Sequence, residues 1–259
     1  MQSEYPRASQ NQLKKWARLD NAKLRREDGL FLAEGVKVVE DLLKSDWQAE
    51  AILVLPEKIS YWEKLIVPAQ DKILVYQLTR SEWKKLSQDK EPEGILAVVK
   101  IKQQPPLSSL IQSADNLLVL HEIANPQNLG ALMRSARWFG FAGILLSSNS
   151  VDFTNPKVIR ASMGSIFHLA VLSDVDLTAA LPEMKHDYLL IGSDVREGVS
   201  PHPLAKKAAL LLGSESHGLP GQLLALADES WYIPGNVQAD SLSLPQAAAI
   251  MMYEMSKKG

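Results

Sequence analysis

The C-terminal part of the chain alternates short apolar runs with longer segments that have helical spacing. Apolar runs predict strands at residues 116–121, 143–147, 168–172, 188–193 and 209–213. Helical spacing or a helix-start signal predicts helices at 129–139, 156–163, 177–184 and 245–255. Short apolar strands that alternate with helices are typical of strands buried on both faces. The pattern therefore predicts an α/β fold with a mostly parallel sheet.

The first hundred residues mix the same kinds of element over a smaller span. Helical spacing or a cap signal predicts helices at 10–26, 36–44 and 81–86. Apolar, β-branched runs predict strands at 51–55, 73–78 and 94–101. This part of the chain is therefore predicted to be a second, smaller α/β module.

The segment 102–115 (KQQPPLSSLIQSAD) interrupts both patterns. Its Pro pair, flanked by Gln and Ser, cannot continue a helix or a central strand. We therefore predict a linker at 102–115 between a domain at 1–101 and a larger domain at 116–259.

Composition excludes several kinds of chemistry. The 259 residues include no Cys, which excludes disulfides, thiolate catalysis and Cys-ligated zinc or iron. The five His residues have no metal-ligand spacing, so no metal is expected. The GxGxxG and GxxxxGK[ST] nucleotide motifs are absent. No apolar run approaches the roughly 20 residues that span a bilayer, and no secretory signal is evident, so we expect a cytoplasmic protein.

The charge of the chain is unevenly distributed. The formal net charge is −2, which argues against a protein that binds nucleic acid over its whole surface. Residues 7–26, however, contain seven basic residues and a single acid, Asp20. A local basic stripe of this kind binds polyanions, although a solvated helix face would have the same composition.

Three stretches place Gly, Pro, Asn or Ser where an apolar run ends. They are NPQNLGALMRSARWFG (125–140), LLGSESHGL (211–219) and YIPGNVQADSLSLPQAAAIMMYE (232–254). α/β proteins place their binding loops at such positions, at the carboxyl ends of strands. Each stretch alone also fits a plainer interpretation: a capped helix, a strand followed by a turn, and a helix with Pro in its first turn.

Together and in this order, the three stretches resemble the signature motifs of the SpoU (TrmH) family. Those enzymes transfer a methyl group from S-adenosylmethionine to a ribose 2′-hydroxyl of RNA. The first stretch matches NPxNxGAxxRxAxxFG along its whole length, and the second matches GxExxG through Gly213, Glu215 and Gly218. The third agrees in several positions but has Ser243 where the family usually has Asn, and Pro245 where it usually has Ser.

The N-terminal stretch also resembles a part of this family. Residues 4–43 are similar to the RNA-binding domain attached to many SpoU enzymes, most closely in the run LRREDGLFLAEG. Residues 155–168 (NPKVIRASMGSIFH) resemble a family stretch that ends in SMGSxF. The likeness therefore covers most of the chain and is weakest between about residues 44 and 111.

The resemblance implies the fold and the partners. It implies a C-terminal SPOUT methyltransferase domain whose C-terminal segment threads a trefoil knot, preceded by a smaller α/β RNA-binding domain. It implies S-adenosylmethionine as methyl donor, no metal, and a homodimer with the donor site near the dimer interface. The implied substrate is ribosomal RNA, with transfer RNA as the alternative.

The resemblance also assigns roles to individual residues. The implied catalytic residues are Asn128, Arg134, Glu215, Ser241 and Ser243. The implied donor-binding residues are Ser193, Gly213, Ile233, Pro234, Ser241, Leu242 and Ala247. The implied RNA-binding residues are Arg18, Arg25, Arg26, Lys157 and Arg160.

The role of Arg134 is limited by the chemistry of guanidinium. Family mechanisms often make this Arg the base, but a guanidinium practically never loses its proton in a protein. We therefore expect Arg134 to grip the phosphate next to the target ribose and to stabilise the negative charge that develops on the 2′-oxygen.

Two other functions stay open at this point. A non-catalytic RNA-binding or ribosome-assembly relative is supported by the departures at Ser243 and Pro245. A small-molecule-binding α/β protein unrelated to RNA is supported by the net charge of −2. Binding of S-adenosylmethionine would distinguish the enzyme from the small-molecule-binding protein. Methyl transfer would distinguish it from the non-catalytic RNA-binding relative.

Overall fold

The computed structural model describes residues 5–87, 89–113, 115–236 and 242–257. The chain forms two compact units. The first contains Met1–Gln103 together with Thr154–Phe167, and the second contains Gln104–Phe153 together with His168–Gly259. The predicted ranges 1–101 and 116–259 stay a prediction, and the segment Thr154–Phe167 groups with the N-terminal unit although it lies within the second range.

The N-terminal unit is a mixed four-stranded sheet with helices. Its helices are α1 (Gln10–Ala17), α2 (Ala22–Asp28), α3 (Val36–Leu43), α4 (Ile59–Ala69) and α5 (Arg80–Trp83). Its strands are β1 (Leu30–Glu34), β2 (Ala49–Val54), β3 (Leu74–Gln77) and β4 (Ile95–Lys100), in the order β1-β4-β2-β3. Strands β1 and β2 are antiparallel to β4, and β2 is parallel to β3.

The predicted helix at 10–26 is divided into two helices. A 3-10 turn at Arg18–Asp20 separates α1 from α2, and the side chain of Asn21 caps α2 by accepting the Lys23 backbone N–H at 2.9 Å. Gly29 then ends α2 in the left-handed conformation, with φ of 63°. The break lets Trp16 of α1 and Leu19 of the turn both reach the core of the unit.

Two elements of this unit have no counterpart in the sequence prediction. Strand β1 is buried for most of its length because it pairs with β4, and helix α4 follows the 3-10 turn Pro56–Lys58. The other predicted strands and helices of the unit are present, with ends that differ by one to a few residues.

The C-terminal unit is a six-stranded sheet in which every neighbouring pair is parallel, which confirms the predicted sheet type. The strands are β5 (Leu117–Leu120), β6 (Gly143–Ser147), β7 (Ala170–Val175), β8 (Leu189–Ser193), β9 (Ala208–Leu212) and β10 (Glu229–Trp231). The helices along this part of the chain are α6 (Leu107–Ser113), α7 (Pro126–Trp138), α8 (Pro156–Ser162), α9 (Leu177–Met184), α10 (Gly221–Leu224) and α11 (Leu244–Ser256). Helix α8 belongs to the N-terminal unit.

The order of the strands defines a reversal in the path of the chain. The order is β10-β8-β9-β5-β6-β7, so the chain leaves β5 towards β6 on one side and leaves β9 towards β10 on the other. Neighbouring strands β5 and β9 therefore form a topological switch point, where the loops at the carboxyl ends diverge and open a crevice.

The predicted linker at 102–115 contains helix α6. Leu110 and Ile111 are buried in the core of the C-terminal unit, and the Tyr188 hydroxyl donates to the Ile111 carbonyl at 3.4 Å. Burial, reinforced by Asp115 and Asp187, raises the pKa of Tyr188 to about 12, so its hydroxyl keeps the proton that it donates. The Pro pair directly precedes the start of helix α6.

The implied trefoil knot stays a prediction. The trefoil knot implied by the resemblance involves the C-terminal segment, of which residues 237–241 lie outside the described residues. Among the residues that the structure describes, no helix is long and apolar enough to cross a membrane.

Candidate functional site

The predicted donor and catalytic residues follow neighbouring strands of the parallel sheet. Ser193 ends β8 opposite Trp231 of β10, and Gly213 directly follows β9. Ile233 lies two residues beyond β10, and helix α7 follows β5. Because the strands are parallel and adjacent in the order β10-β8-β9-β5, these positions lie along one edge of the sheet. Ligands of open α/β sheets bind at this edge.

A side-chain hydrogen bond links the two loops at the switch point. Asn125 caps α7 by accepting the backbone N–H of Gln127 at 2.9 Å, and Pro126 occupies the first helical position. This start places Asn128 in the first turn, where its side-chain nitrogen donates to Glu215 Oε1. The contact joins the helix that follows β5 to the loop that follows β9.

The loop after β9 is a tight turn that places Glu215 near its tip. The Gly218 N–H donates to the Ser214 carbonyl at 2.8 Å, and Gly218 has a left-handed φ of 66°. A Cβ on Gly213 would lie 2.0 Å from the Gly218 carbonyl carbon. The space beside Gly213 is therefore filled by the chain's own backbone. If this glycine served only to make room for a ligand, the space would be empty.

Arg134 is exposed on α7, within the same helix as Asn128. It has no hydrogen-bond or ion-pair partner in the described part of the chain. Its guanidinium is thus available to bind an anion from solution, such as a phosphate.

The third stretch is described in part. Ile233 is half-buried and Pro234 is exposed, whereas Ser241 lies outside the described residues. Leu242 is 48% exposed. Ser243 is the N-cap of α11, and Ala247 is half-buried in the second turn of that helix, which packs against α7.

The cap of α11 predicts the effect of restoring the residue usual in the family. The Ser243 N–H donates to the side chain of Gln246 at 3.3 Å, which is half of a capping box. Asn caps helices as well as Ser does, so Ser243→Asn should change the stability by less than about 0.5 kcal/mol. We expect the variant to keep or raise methyl transfer to unmodified ribosomal RNA, measured with a tritiated donor. Loss of transfer in the variant would mean that this loop depends on the serine itself.

The predicted RNA-binding residues lie in the N-terminal unit and differ in their surroundings. Arg26 and Lys157 are exposed, and neither has an ion-pair or hydrogen-bond partner for its side chain within the described ranges. Arg18 pairs with Asp28 at 3.5 Å and Glu27 at 3.9 Å. Arg160 is likewise engaged, by Glu34 at 2.8 Å and by Asp89 at 3.4 Å.

The structure corrects the role predicted for Arg25. Its side chain is 1% exposed, so the guanidinium cannot reach RNA in this structure. Nε donates to Thr154 Oγ1 at 3.0 Å, and Nη1 donates to the carbonyls of Leu19 and Asp20 at 2.9 Å. Arg25 therefore holds the segment Thr154–Phe167 within the N-terminal unit. The same segment is anchored by Phe167, whose ring stacks on that of Phe31 at 6.4 Å.

Substitution of the neighbours Arg25 and Arg26 should therefore affect the free energy of unfolding very differently. Arg25→Ala leaves buried acceptors without their donor and should lower the free energy of unfolding by about 3 kcal/mol. Arg26→Ala removes an exposed side chain and should change it by no more than about 0.5 kcal/mol. Urea denaturation of both variants measures the difference. Equal stability of the two variants would contradict the structural role of Arg25.

The two residues that follow β5 lie outside the three motifs. The His121 side chain is 19% exposed, and its Nδ1 is buried without a hydrogen-bond partner among the described residues. Glu122 has a left-handed φ of 52°, which is uncommon for a residue other than Gly. In the sequence, these two residues are visible as a His-Glu pair between a buried strand and the Asn-Pro start of α7.

Comparison with known proteins identifies the family. Residues 115–253 match the SpoU rRNA Methylase family, and residues 10–97 match the MRM3-like substrate binding domain. Because the first match covers more than half of the chain, this protein belongs to the SpoU rRNA Methylase family, as its motifs indicated.

Relatives match over nearly the full length. The 23S rRNA (guanosine(2553)-2′-O)-methyltransferase RlmP of Bacillus subtilis is 28% identical over 251 residues, which cover 96% of this chain and 97% of the relative. A crystal structure of an RNA 2′-O ribose methyltransferase is 28% identical, with a TM-score of 0.79 and 97% coverage of both chains. An AdoMet-bound rRNA methyltransferase from Sinorhizobium meliloti has the same fold, with a TM-score of 0.83 at 24% identity, covering 98% of this chain and 97% of that one.

Proposed function

We propose that this protein transfers a methyl group from S-adenosylmethionine to a ribose 2′-hydroxyl of ribosomal RNA. The observation that carries the proposal is the Asn128–Glu215 link across the switch point, with Arg134 unpaired on the same helix. Family membership supports the reaction, and the Bacillus relative, named for a 2′-O position of 23S rRNA, supports the substrate. The cytoplasmic location expected from the sequence is part of the same proposal.

The residues at the strand ends fit a nucleoside-containing methyl donor. Ser193 ends one strand and Ile233 lies two residues beyond its neighbour, and Leu242 offers exposed apolar surface for a base. Gly213 contributes indirectly, because it permits the turn that holds Glu215. When bound, S-adenosylmethionine supplies the methyl group on a positively charged sulfur. Ser241 and Ala247 stay predicted contacts.

The protein's contribution to the reaction is positioning and electrostatics. Asn128 holds Glu215, so the loop after β9 and the start of α7 keep a common geometry. Arg134 can grip the phosphate beside the target ribose and stabilise the developing charge on the 2′-oxygen. Fixing the attacking oxygen in line with the methyl group supplies much of the rate in such a transfer.

The proposal is tested by mapping 2′-O-methyl groups in ribosomal RNA from cells with and without this protein. We expect one ribose to lose its methyl group when the gene is deleted and to regain it on incubation with the purified protein and donor. A methyl group that is lost from transfer RNA and not from ribosomal RNA would support the alternative substrate. Donor binding without methyl loss from either RNA would support a non-catalytic relative.

The RNA-binding surface is proposed to include Arg26 and Lys157, the two predicted contacts that have no protein partner among the described residues. The double variant Arg26→Glu, Lys157→Glu should weaken RNA binding and leave donor affinity unchanged. Each lost phosphate contact should also reduce the slope of log affinity against log salt by about 0.7–0.9. Lys72→Glu, a charge reversal at another exposed lysine of the unit, is the control. An unchanged salt slope would return these residues to a solvated surface.

A homodimer is the proposed assembly. Helices α7 and α11 pack together and carry exposed apolar side chains: Trp138 is 83% exposed, and Ile250 and Tyr253 lie three residues apart on α11. Exposed apolar surface of this kind marks interaction sites. Light scattering should show a dimer that Trp138→Glu dissociates, whereas Tyr61→Glu on α4 should not. A wild-type monomer at tens of micromolar would contradict the proposal.

A further inference from the structure

The β8–β9 connection, residues 194–207, packs against β10 at the edge of the parallel sheet. It starts directly after Ser193, the last residue of β8. The Val199 N–H donates to the Ser230 carbonyl, and the Val199 carbonyl accepts from the Tyr232 N–H, both at 2.9 Å. These two backbone hydrogen bonds join the connection to the carboxyl end of β10.

Few apolar contacts hold the first part of this connection. Residues 195–200 are all exposed, and Val195 is 75% exposed. A segment with little buried apolar surface opens at a low cost in free energy. The polar contacts further along the connection therefore decide how firmly it is held against β10.

His202 makes such contacts through both of its ring nitrogens. Nε2 lies 3.1 Å from Glu229 Oε2, and Nδ1 lies 3.1 Å from the Pro203 carbonyl oxygen. The indole N–H of Trp231 donates to the same Glu229 oxygen at 3.0 Å, and the imidazole and indole centroids are 5.3 Å apart. His202, Glu229 and Trp231 therefore form a clasp between the connection and β10.

The partners of the imidazole require its protonated form. A carboxylate oxygen and a backbone carbonyl oxygen only accept hydrogen bonds, so both contacts form together only when both ring nitrogens carry a proton. The hydrogen bond to the Pro203 carbonyl is the main cause that raises the pKa of His202; burial opposes it, and Glu229 reinforces it. The clasp is therefore complete below the usual pKa of 6.5 and is lost as the pH rises through the raised pKa.

Two features reduce the entropic cost of this ion pair, since exposed pairs without such features contribute little. The Glu229 oxygen is held by Trp231, which is fully buried. His202 stands between Pro201 and Pro203, whose fixed backbone angles limit the freedom that pairing removes. Glu229 is the ionisable side chain that acts on the ring, because neither Pro203 nor Trp231 titrates.

We propose that protonated His202 is a positioning residue that holds the β8–β9 connection in place for binding of S-adenosylmethionine. The inference rests on the proposed function. The connection links two predicted donor contacts, because it starts after Ser193 and bonds to Tyr232, which precedes Ile233. Loss of the imidazole proton breaks one ring contact of the clasp, the connection loosens, and affinity for the donor falls.

The test compares His202→Gln with His186→Gln, a change at an exposed histidine shortly before β8. Gln at position 202 still donates a hydrogen bond but carries no charge. Calorimetry from pH 6 to 9 measures donor affinity, and the ratio of variant to wild type at each pH cancels ionisation of the donor itself. We expect His202→Gln to bind the donor about fivefold more weakly at pH 6 and about equally at pH 9. His186→Gln should match wild type at every pH.

Nitrogen-15 spectra test the clasp without the donor. The His202 signals, assigned with His202→Gln, should show both nitrogens protonated to a pH above the usual midpoint of about 6.5. In Glu229→Gln the midpoint should fall by about half a unit or more, because the carboxylate charge is gone. Amide exchange at Val199 should be faster in His202→Gln than in wild type at pH 6.

Donor affinity of His202→Gln equal to that of wild type at pH 6 would overturn the positioning role. A loss of affinity that is the same at every pH would overturn the role of the charge. A His202 midpoint at or below about 6.5, or one that Glu229→Gln leaves unchanged, would overturn the clasp. A wild type that binds no donor at any pH would instead contradict the proposed function, and the spectra would still decide whether the clasp forms.

Discussion

Arg134→Ala should abolish methyl transfer while leaving affinity for S-adenosylmethionine within a few-fold of wild type. Arg134 is exposed on α7 beside the switch point and has no partner among the described residues, so its guanidinium is available for the substrate. Loss of one charged group that stabilises a developing oxyanion typically costs on the order of 100-fold or more in rate. Single-turnover methyl incorporation measures the rate, and calorimetry measures the donor affinity.

Two further variants separate the charge of Arg134 from its shape. Arg134→Lys keeps the charge but loses the planar fork that binds a phosphate through two hydrogen bonds, so its rate should lie between those of Arg134→Ala and wild type. Arg137→Ala, on the same helix, is the control for changes to α7 and should stay within about threefold of wild-type turnover. Wild-type turnover in Arg134→Ala would remove Arg134 from the reaction.

Gly213→Ala should both weaken donor binding and lower the stability of the C-terminal unit. The added Cβ would lie 2.0 Å from the Gly218 carbonyl carbon and 2.2 Å from the Leu219 nitrogen, which are backbone atoms that cannot swing aside. The turn would have to move, and Glu215 with it. We expect a loss of about 3 kcal/mol, which lowers Tm by roughly 6–12 °C, and a fall in donor affinity of about tenfold or more.

Gly221→Ala is the matched control, because a Cβ on Gly221 would have no heavy atom within 4 Å. Its Tm and donor affinity should match those of wild type. The resemblance had assigned Gly213 to donor binding, a role in which a side chain would block the ligand and leave the protein fold intact. The structure indicates a different cause, since the side chain would displace the protein's own turn. Unchanged stability with lost donor binding would favour the first explanation.

The sequence by itself determined the class of fold and the family. Apolar runs in alternation with helical segments predicted the parallel sheet, because burial of a strand on both faces requires continuous apolar residues that are visible locally. The three motifs identified the family because they specify loop conformations through Gly, Pro and Asn, whose backbone preferences are also local. Strand β1 was missed because its burial depends on pairing with β4, more than sixty residues away.

Only the tertiary structure decided which charged side chains are available for function. Arg25 and Arg26 are adjacent in one basic run, yet Arg25 is buried against Thr154 and Arg26 is exposed. A residue type defines which hydrogen bonds and charges are possible. Burial and partners depend on segments far apart in the chain, and only the folded packing brings those segments together.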